Sequence, residues 1–277
     1  MNATTTLDPT PVRATEPAPT EAGHVGFGTA LRAEWHKLRS VRSTWWTIGS
    51  LFVLGAGLTV LICGLNAEWL AGPDGDESPG SFITWGMMLA PVCAVVLGAL
   101  MVTSEYSTGM IRSTFAAMPN RGTVFAAKAV LLSVVLFVVG TAAAFVGYLG
   151  GNYFLDREGI GIALEGDMLR ALYGSGLFMA GIGLMSAGVG WLVRHTAGTI
   201  SSVLAVLMVI GNMVALVPGT LGDWLMKAAP GNAGGAIATP VPFNPEILDA
   251  WPGFGVFAAE VALVLGFAYL AVRRRDA

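Results

Sequence analysis

The sequence predicts an all-α protein that crosses a membrane as a bundle of six helices. Of its 277 residues 54% are hydrophobic and only 12% charged, against about 25% charged in an ordinary soluble domain; mean hydropathy is +0.67. The apolar residues gather in about six continuous blocks, each near the ~20 residues that carry a helix across a ~30 Å hydrocarbon core. A membrane β-barrel would need many segments of about ten residues with alternating polarity, and the blocks here do not alternate.

Residues 1–26 are rich in Thr, Pro, Ala and Glu and lack the apolar core of a secretory signal, so a disordered cytoplasmic tail is expected. From 27 to 45 the pattern changes. Phe27, Leu31, Trp35, Leu38, Val41 and Trp45 recur at steps of three and four, while Arg32, His36, Lys37, Arg39 and Ser43 fill the remaining arc. This is an amphipathic helix suited to the cytoplasmic headgroup layer, with Trp35, Lys37, Leu38 and Arg39 as its central interfacial residues. The spans are placed at about 46–65, 82–103, 129–150, 171–193, 196–217 and 253–272. The short turn Arg194-His195 separates the fourth from the fifth. A chain of five spans with one very long buried helix would fit the hydropathy almost as well, but it would leave Arg194 in mid-membrane at a cost of several kcal/mol. Between spans five and six the loop 218–252 carries an apolar cluster, Leu221, Trp224, Leu225 and Met226 around Asp223, and a second helix start at Asn244-Pro245-Glu246. Two short helices on the outer leaflet are expected there.

Six spans put both ends of the bundle chain on one side, and the charges say which. Twelve of the fifteen basic residues fall on that side, including Arg32, Lys37, Arg39, Arg42, Arg112, Arg121, Lys128, Arg194 and Arg273 to Arg275. The opposite side keeps Arg157, Arg170 and Lys227 and most of the acids. The positive-inside rule therefore places the termini in the cytoplasm of a multi-pass cell-membrane protein. The net charge of -3 gives no reason to expect nucleic acid. Arg outnumbers Lys twelve to three, and Ala and Gly abound, a usage expected of a GC-rich bacterial genome.

Several chemistries are not supported by the residues. There is no Gly-Lys dipeptide, hence no phosphate-binding loop of the G-x-x-x-x-G-K-[ST] form. His24, His36 and His195 lie far apart without a helical partner, so no metalloprotease motif exists. Ser175 and His195 are separated by 20 residues of helix, about 30 Å, which opposes a serine–histidine pair. Cys63 and Cys93 sit inside apolar blocks and read as small packing residues. Ala143, Gly147 and Gly151 form a small-residue stripe on span three.

Two polar residues lie within spans. Asn212 is about 8 Å and Glu260 about 12 Å from the outer surface, and together they form a possible translocation path, a polar vestibule. A protonated Glu260 serving packing alone explains that position equally well.

The most specific segment follows span two: Ser104-Glu105-Tyr106-Ser107-Thr108-Gly109-Met110-Ile111-Arg112-Ser113-Thr114-Phe115-Ala116-Ala117-Met118-Pro119-Asn120-Arg121. Thr108 to Ala117 can form a short helix that stops before Pro119, with Met110, Ile111 and Phe115 on one side and Arg112 available to a partner's acid. With Glu34-Trp35-His36-Lys37-Leu38-Arg39-Ser40 and the triple-Arg tail, this stretch resembles permease subunits of the type-2 ATP-binding-cassette (ABC) transporters, from about residue 28 onward. The resemblance implies a permease that exports an amphipathic or hydrophobic substrate. It implies a dimer with a second copy or paralogue, and separate cytoplasmic ABC ATPase subunits that bind ATP and magnesium. No cofactor and no catalysis are expected in this chain. ATPase coupling would fall to Glu105, Thr108, Met110, Ile111, Arg112, Phe115 and Arg121. The alternative is a membrane sensor or assembly factor without transport.

Overall fold

The computed structural model describes residues 26–73, 75, 77–241 and 247–274, with the side chains of 210, 212 and 215 outside that set. Residues 1–25 of the expected tail, the helix start at 244–246 and Arg275 lie outside the described residues. Everything described is helix or connection, with no strand. In chain order the helices are α1 (Phe27–Ser40), α2 (Arg42–Ala71), α3 (Pro79–Ser107), α4 (Met110–Ala117), α5 (Arg121–Arg157), α6 (Gly166–Val193), α7 (Thr196–Leu204), α8 (Thr220–Ala228), α9 (Pro230–Gly235) and α10 (Ala250–Arg274).

Among the described residues five helices are long and apolar enough to cross a membrane: α2, α3, α5, α6 and α10. They contain five of the six expected spans; four outrun them at both ends, and α6 outruns 171–193 only at its start, both ending at Val193. The helix α5 has 37 residues, about 55 Å of rise, so its ends stand beyond a ~30 Å hydrocarbon layer. The expected fifth span, 196–217, is not one regular helix. It begins as α7, widens to a π-helix over Ala205–Ile210, and closes through the single turns Gly211–Met213 and Val214–Leu216. Its boundary with span four is sharp. Arg194 takes a left-handed conformation, φ 58°, that ends α6, and His195 Nδ1 then accepts the Gly198 amide at 3.1 Å to cap α7. A single long helix through 171–217 is thereby excluded.

The helices α3 and α6 are the most enclosed of the five and form the centre. Gly98 stands against the backbone of Gly183, and Ser186 Oγ donates to Val95 O at 2.7 Å, so these two helices touch backbone to backbone. The small-residue stripe on α5 faces α2: a Cβ on Gly147 would lie 3.1 Å from Thr59 Cβ and one on Gly151 3.0 Å from Cys63 Sγ. Ser175, buried, returns its hydroxyl to Ala171 O at 2.9 Å, which with the capping role of His195 disposes of a serine–histidine site.

The helix expected over 27–45 stops earlier. Val41 is extended at ψ 120°, and Trp45 Nε1 donates to Arg39 O at 3.0 Å, satisfying a carbonyl that the end of α1 would leave open. Its packing face also differs from the apolar arc read from the sequence. Ala30, Glu34 and Leu38, one residue per turn, are buried, whereas Phe27, Trp35, Val41 and Trp45 are exposed. The narrow stripe meets α5, and the aromatics are left on the outer side, where Arg39 lies over the Trp35 ring at 5.9 Å.

In the loop before α10 the first expected short helix is α8. The second short helix of the described residues is α9, earlier than the expected start at 244. It packs on α10, with Gly234 against Phe178 and Phe257. Arg170 clasps the chain that follows, donating to Ala236 O and Ile237 O at 3.3 Å each and to Thr239 O at 3.1 Å.

Candidate functional site

The end of the bundle that bears α1 and α4 holds a closed ring of charges. On α1, Glu34 and Lys37 are three residues apart and share a face. Lys37 Nζ lies 2.9 Å from Glu34 Oε1 and 2.8 Å from Glu105 Oε1, the latter near the end of α3. Lys128 Nζ, on α5, lies 2.6 Å from Glu34 Oε2 and 2.6 Å from Glu105 Oε1. Two ammonium and two carboxylate groups alternate around the ring, so its net charge is zero. The Lys128, Glu34 and Glu105 side chains are only 4%, 4% and 2% exposed. Burial of that kind is tolerable only with every charge paired. Lys37, at 32%, is the member open to solvent. Burial disfavours its ammonium, but the hydrogen bonds it donates to Glu105 and Glu34, with the charge of those carboxylates, outweigh that cost and hold its pKa above the ordinary 10.5.

A second cluster adjoins the ring at the same ends of α3 and α5 and brings in the ends of α6 and α10. Trp191 of α6 is buried, with Tyr106 edge-on at 5.8 Å, Phe125 at 5.8 Å and Phe115 stacked at 6.5 Å. Phe125 also meets Tyr269 of α10 at 5.7 Å. Guanidinium groups cover the outer rings: Arg121 over Phe115 at 5.2 Å, Arg194 over Tyr106 at 4.9 Å and Arg273 over Tyr269 at 5.6 Å. Arg121 Nη1 further donates to Val272 O at 3.1 Å, tying the start of α5 to the end of α10.

Between ring and cluster lies α4. Gly109 adopts φ 71°, a left-handed turn that glycine takes without strain, and it separates α3 from α4. The helix therefore starts at Met110 rather than Thr108. Thr108 is exposed at the end of α3, its Oγ1 donating to Ser104 O at 2.8 Å. The expectation that Met110, Ile111 and Phe115 form one outward side is corrected. Ile111 is 3% exposed and faces the bundle; Phe115 is held against Trp191; Met110 alone is turned out, at 41%. Thr114 joins the inner side and receives Lys37 Nζ at 3.4 Å. The outward face is Met110, Arg112, Ser113, Ala116 and Ala117. The reason is spacing: residues 111, 114 and 115 fall on one side of a helix, and at this site the larger apolar groups fill the bundle. Glu105 and Arg121 are likewise engaged inside the chain, Glu105 in the ring and Arg121 on Phe115 and Val272.

Glu34 and Lys128 escaped the sequence reading. Lys128 counts there only as an inside-facing charge, and Glu34 only as part of a motif. A usable signal existed: Glu34 sits at the middle of the stripe Ala30–Glu34–Leu38, and Lys128 among Val124, Ala127, Leu131 and Leu132. A charge on a packing stripe calls for an opposite charge nearby.

Of the vestibule pair, Glu260 is half-buried on α10, and its Oε2 is buried without a hydrogen-bond partner among the described residues. One turn before it Phe257 fills the space at Gly181, and one turn after it Val264 packs on Gly188, so Glu260 lies at the rim of the α6–α10 contact. The side chain of Asn212 lies outside the described residues.

Residues 30–212 match the family described as ABC-2 family transporter protein. No curated protein matches the chain.

Proposed function

The chain belongs to the ABC-2 transporter family, a family of membrane components that are not themselves catalytic, and from that premise we propose that it is the permease subunit of an ATP-driven exporter whose separate ATPase docks on α4. One observation carries this reading. A helix of eight residues is fixed from behind on two sides, by Thr114 on the ion ring and by Phe115 on Trp191, while its other face is free of the bundle. A short solvated loop has no need of such anchoring. A helix that must receive a load does, because a compliant one would absorb the displacement.

The outward face suits a partner with a shallow apolar groove and an acid opposite Arg112. In this reading α7 and its π-helical continuation complete a sixth crossing, both termini are cytoplasmic, and α1 lies in the inner headgroup layer with Trp35, and Trp45 at the start of α2, toward lipid. The permease works as a dimer of itself or with a paralogue, and ATP and magnesium stay on the ATPase. Binding and closure of the ATPases move α4, and the spans then open a route for an amphipathic or hydrophobic substrate from the inner leaflet. Glu260 supports a polar lining for that route.

Co-purification tests the proposal. The full chain, expressed in its native host, should retain an ABC ATPase. Met110→Asp and Arg112→Glu should reach the membrane at normal levels and lose that ATPase. Full retention by both variants would refute docking on this face, and a wild-type chain that retains no ATPase would favour a sensor or assembly factor.

A further inference from the structure

Lys37 is placed at a three-way junction. An ammonium carries three N–H donors, and here they are directed to three elements: Glu34 of α1 at 2.9 Å, Glu105 of α3 at 2.8 Å and Thr114 of α4 at 3.4 Å. Lys128 does the same on the far side of the ring, reaching Glu34 and Glu105 at 2.6 Å each and Met101 O at 3.4 Å. Lys128 therefore staples α5 to α1 and α3 inside the bundle. Lys37 brings α4 into the same assembly. From α1 the connection to span one is short: a single extended residue, Val41, braced by Trp45 Nε1 on Arg39 O.

We propose that Lys37 is a positioning residue that makes α4 and α1 one mechanical unit, so that displacement of α4 is delivered through α1 and Val41 to span one. The proposal rests on the reading of α4 as the docking helix. A group that served the fold alone would not need to be the most solvent-open member of the ring, directed to a short helix that lies outside the spans. Lys37 also differs from the aromatic anchor in kind. Phe115 holds α4 to the central helices through dispersion contacts, whereas Lys37 ties it to the helix that leads into span one.

The test uses a variant that cuts the junction without leaving an unbalanced charge. Lys37→Met with Glu105→Gln leaves Glu34 and Lys128 as a neutral pair, and the introduced amide oxygen can still accept from Lys128. Spin labels at Thr29→Cys on α1 and Ser113→Cys on α4, both exposed positions, report the separation of the two helices; the native Cys63 and Cys93 are buried. On the permease in lipid nanodiscs the wild type should give one narrow distance distribution, the double variant one of about twice the width as the local tether is lost. Lys37→Arg, which keeps the charge, should restore the narrow form. On the complex with its co-purified ATPase, trapping with ATP and vanadate should change alkylation of Leu65→Cys, an exposed position on α2, in the wild type and in Lys37→Arg. The double variant should hold its ATPase and hydrolyse ATP while losing that change; a role confined to folding would lower retention and hydrolysis together. A double variant whose distances overlay those of the wild type, or whose Leu65→Cys still responds to vanadate, overturns the proposal. A wild-type chain that holds no ATPase refutes the docking reading instead, and the distance measurement still decides the tether.

Discussion

Replacing Lys128 by Met keeps the side chain's length and apolar stem and removes one charge from the middle of the ring. Two contacts of 2.6 Å are lost, and Glu34 and Glu105 remain as buried carboxylates, 4% and 2% exposed, facing one another. Lys37 can balance only one of them, and because 32% of its side chain is in solvent its hold is screened. Removing one partner of a buried pair costs about 3–5 kcal/mol, and the near-complete burial of Lys128 argues for the full range. Adding Glu105→Gln to Lys128→Met leaves Glu34 with Lys37 and no surplus charge. That double variant should lie about 2 kcal/mol above the single one. Equilibrium unfolding of the purified protein by SDS in mixed micelles, followed by tryptophan fluorescence, reads both values. A cost below about 1 kcal/mol for Lys128→Met, or no recovery on adding Glu105→Gln, would refute the reasoning, because it would mean the carboxylates are solvated or protonated without it.

Lys37 has its pKa raised above 10.5, so its share of the stability is complete below that pH and is lost as pH rises through the higher folded value; the unfolding midpoint should be flat from neutral pH to about 10 and then fall, and Lys37→Met should remove that fall. Phe115→Asp places a charge against buried Trp191 and should cost about 2 kcal/mol or more of stability, whereas Met110→Asp, on the exposed side, should stay within about 0.5 kcal/mol in the same assay. Gly109→Ala forces a side chain into φ 71° where a Cβ meets nothing within 4 Å, so the loss of about 1 kcal/mol is conformational alone and should speed amide exchange in α4. Cysteines at Asp167 and Asp223 should react with an impermeant reagent on intact cells, and cysteines at Ser107 and Arg194 should not; external labelling at Arg194 would break the assigned orientation.

Local information served well where a single element carries its own constraint. The blocks around 46–65, 82–103, 129–150, 171–193 and 253–272 lie within five long helices because a backbone in hydrocarbon must satisfy its own polar groups, whatever its neighbours. The turn at Arg194-His195 was legible because a charge in mid-membrane is costly, and His195 supplies the cap itself. The existence of α4 was legible from Pro119, which directly follows its C-cap Met118, while its start was missed by two residues because Gly109 can join or break a helix according to its surroundings. The expected fifth span was the hard case: Leu204 to Leu216 is apolar enough for a helix, but hydropathy does not record whether the turns are α, π or tighter.

The sequence by itself determined that the chain is helical, which of its segments are long and apolar enough to cross a membrane, and where its basic residues cluster between them. Each of those follows from length, apolarity or charge within one segment. The tertiary structure alone decided which side of α4 faces out, which stripe of α1 packs, and that Glu34 and Lys128, 94 residues apart, share a hydrogen bond. A 3.6-residue period says which residues share a face but not what that face meets. The ring exists because three helices, α1, α3 and α5, bring their charges to one point, and no segment contains that information until all three have packed.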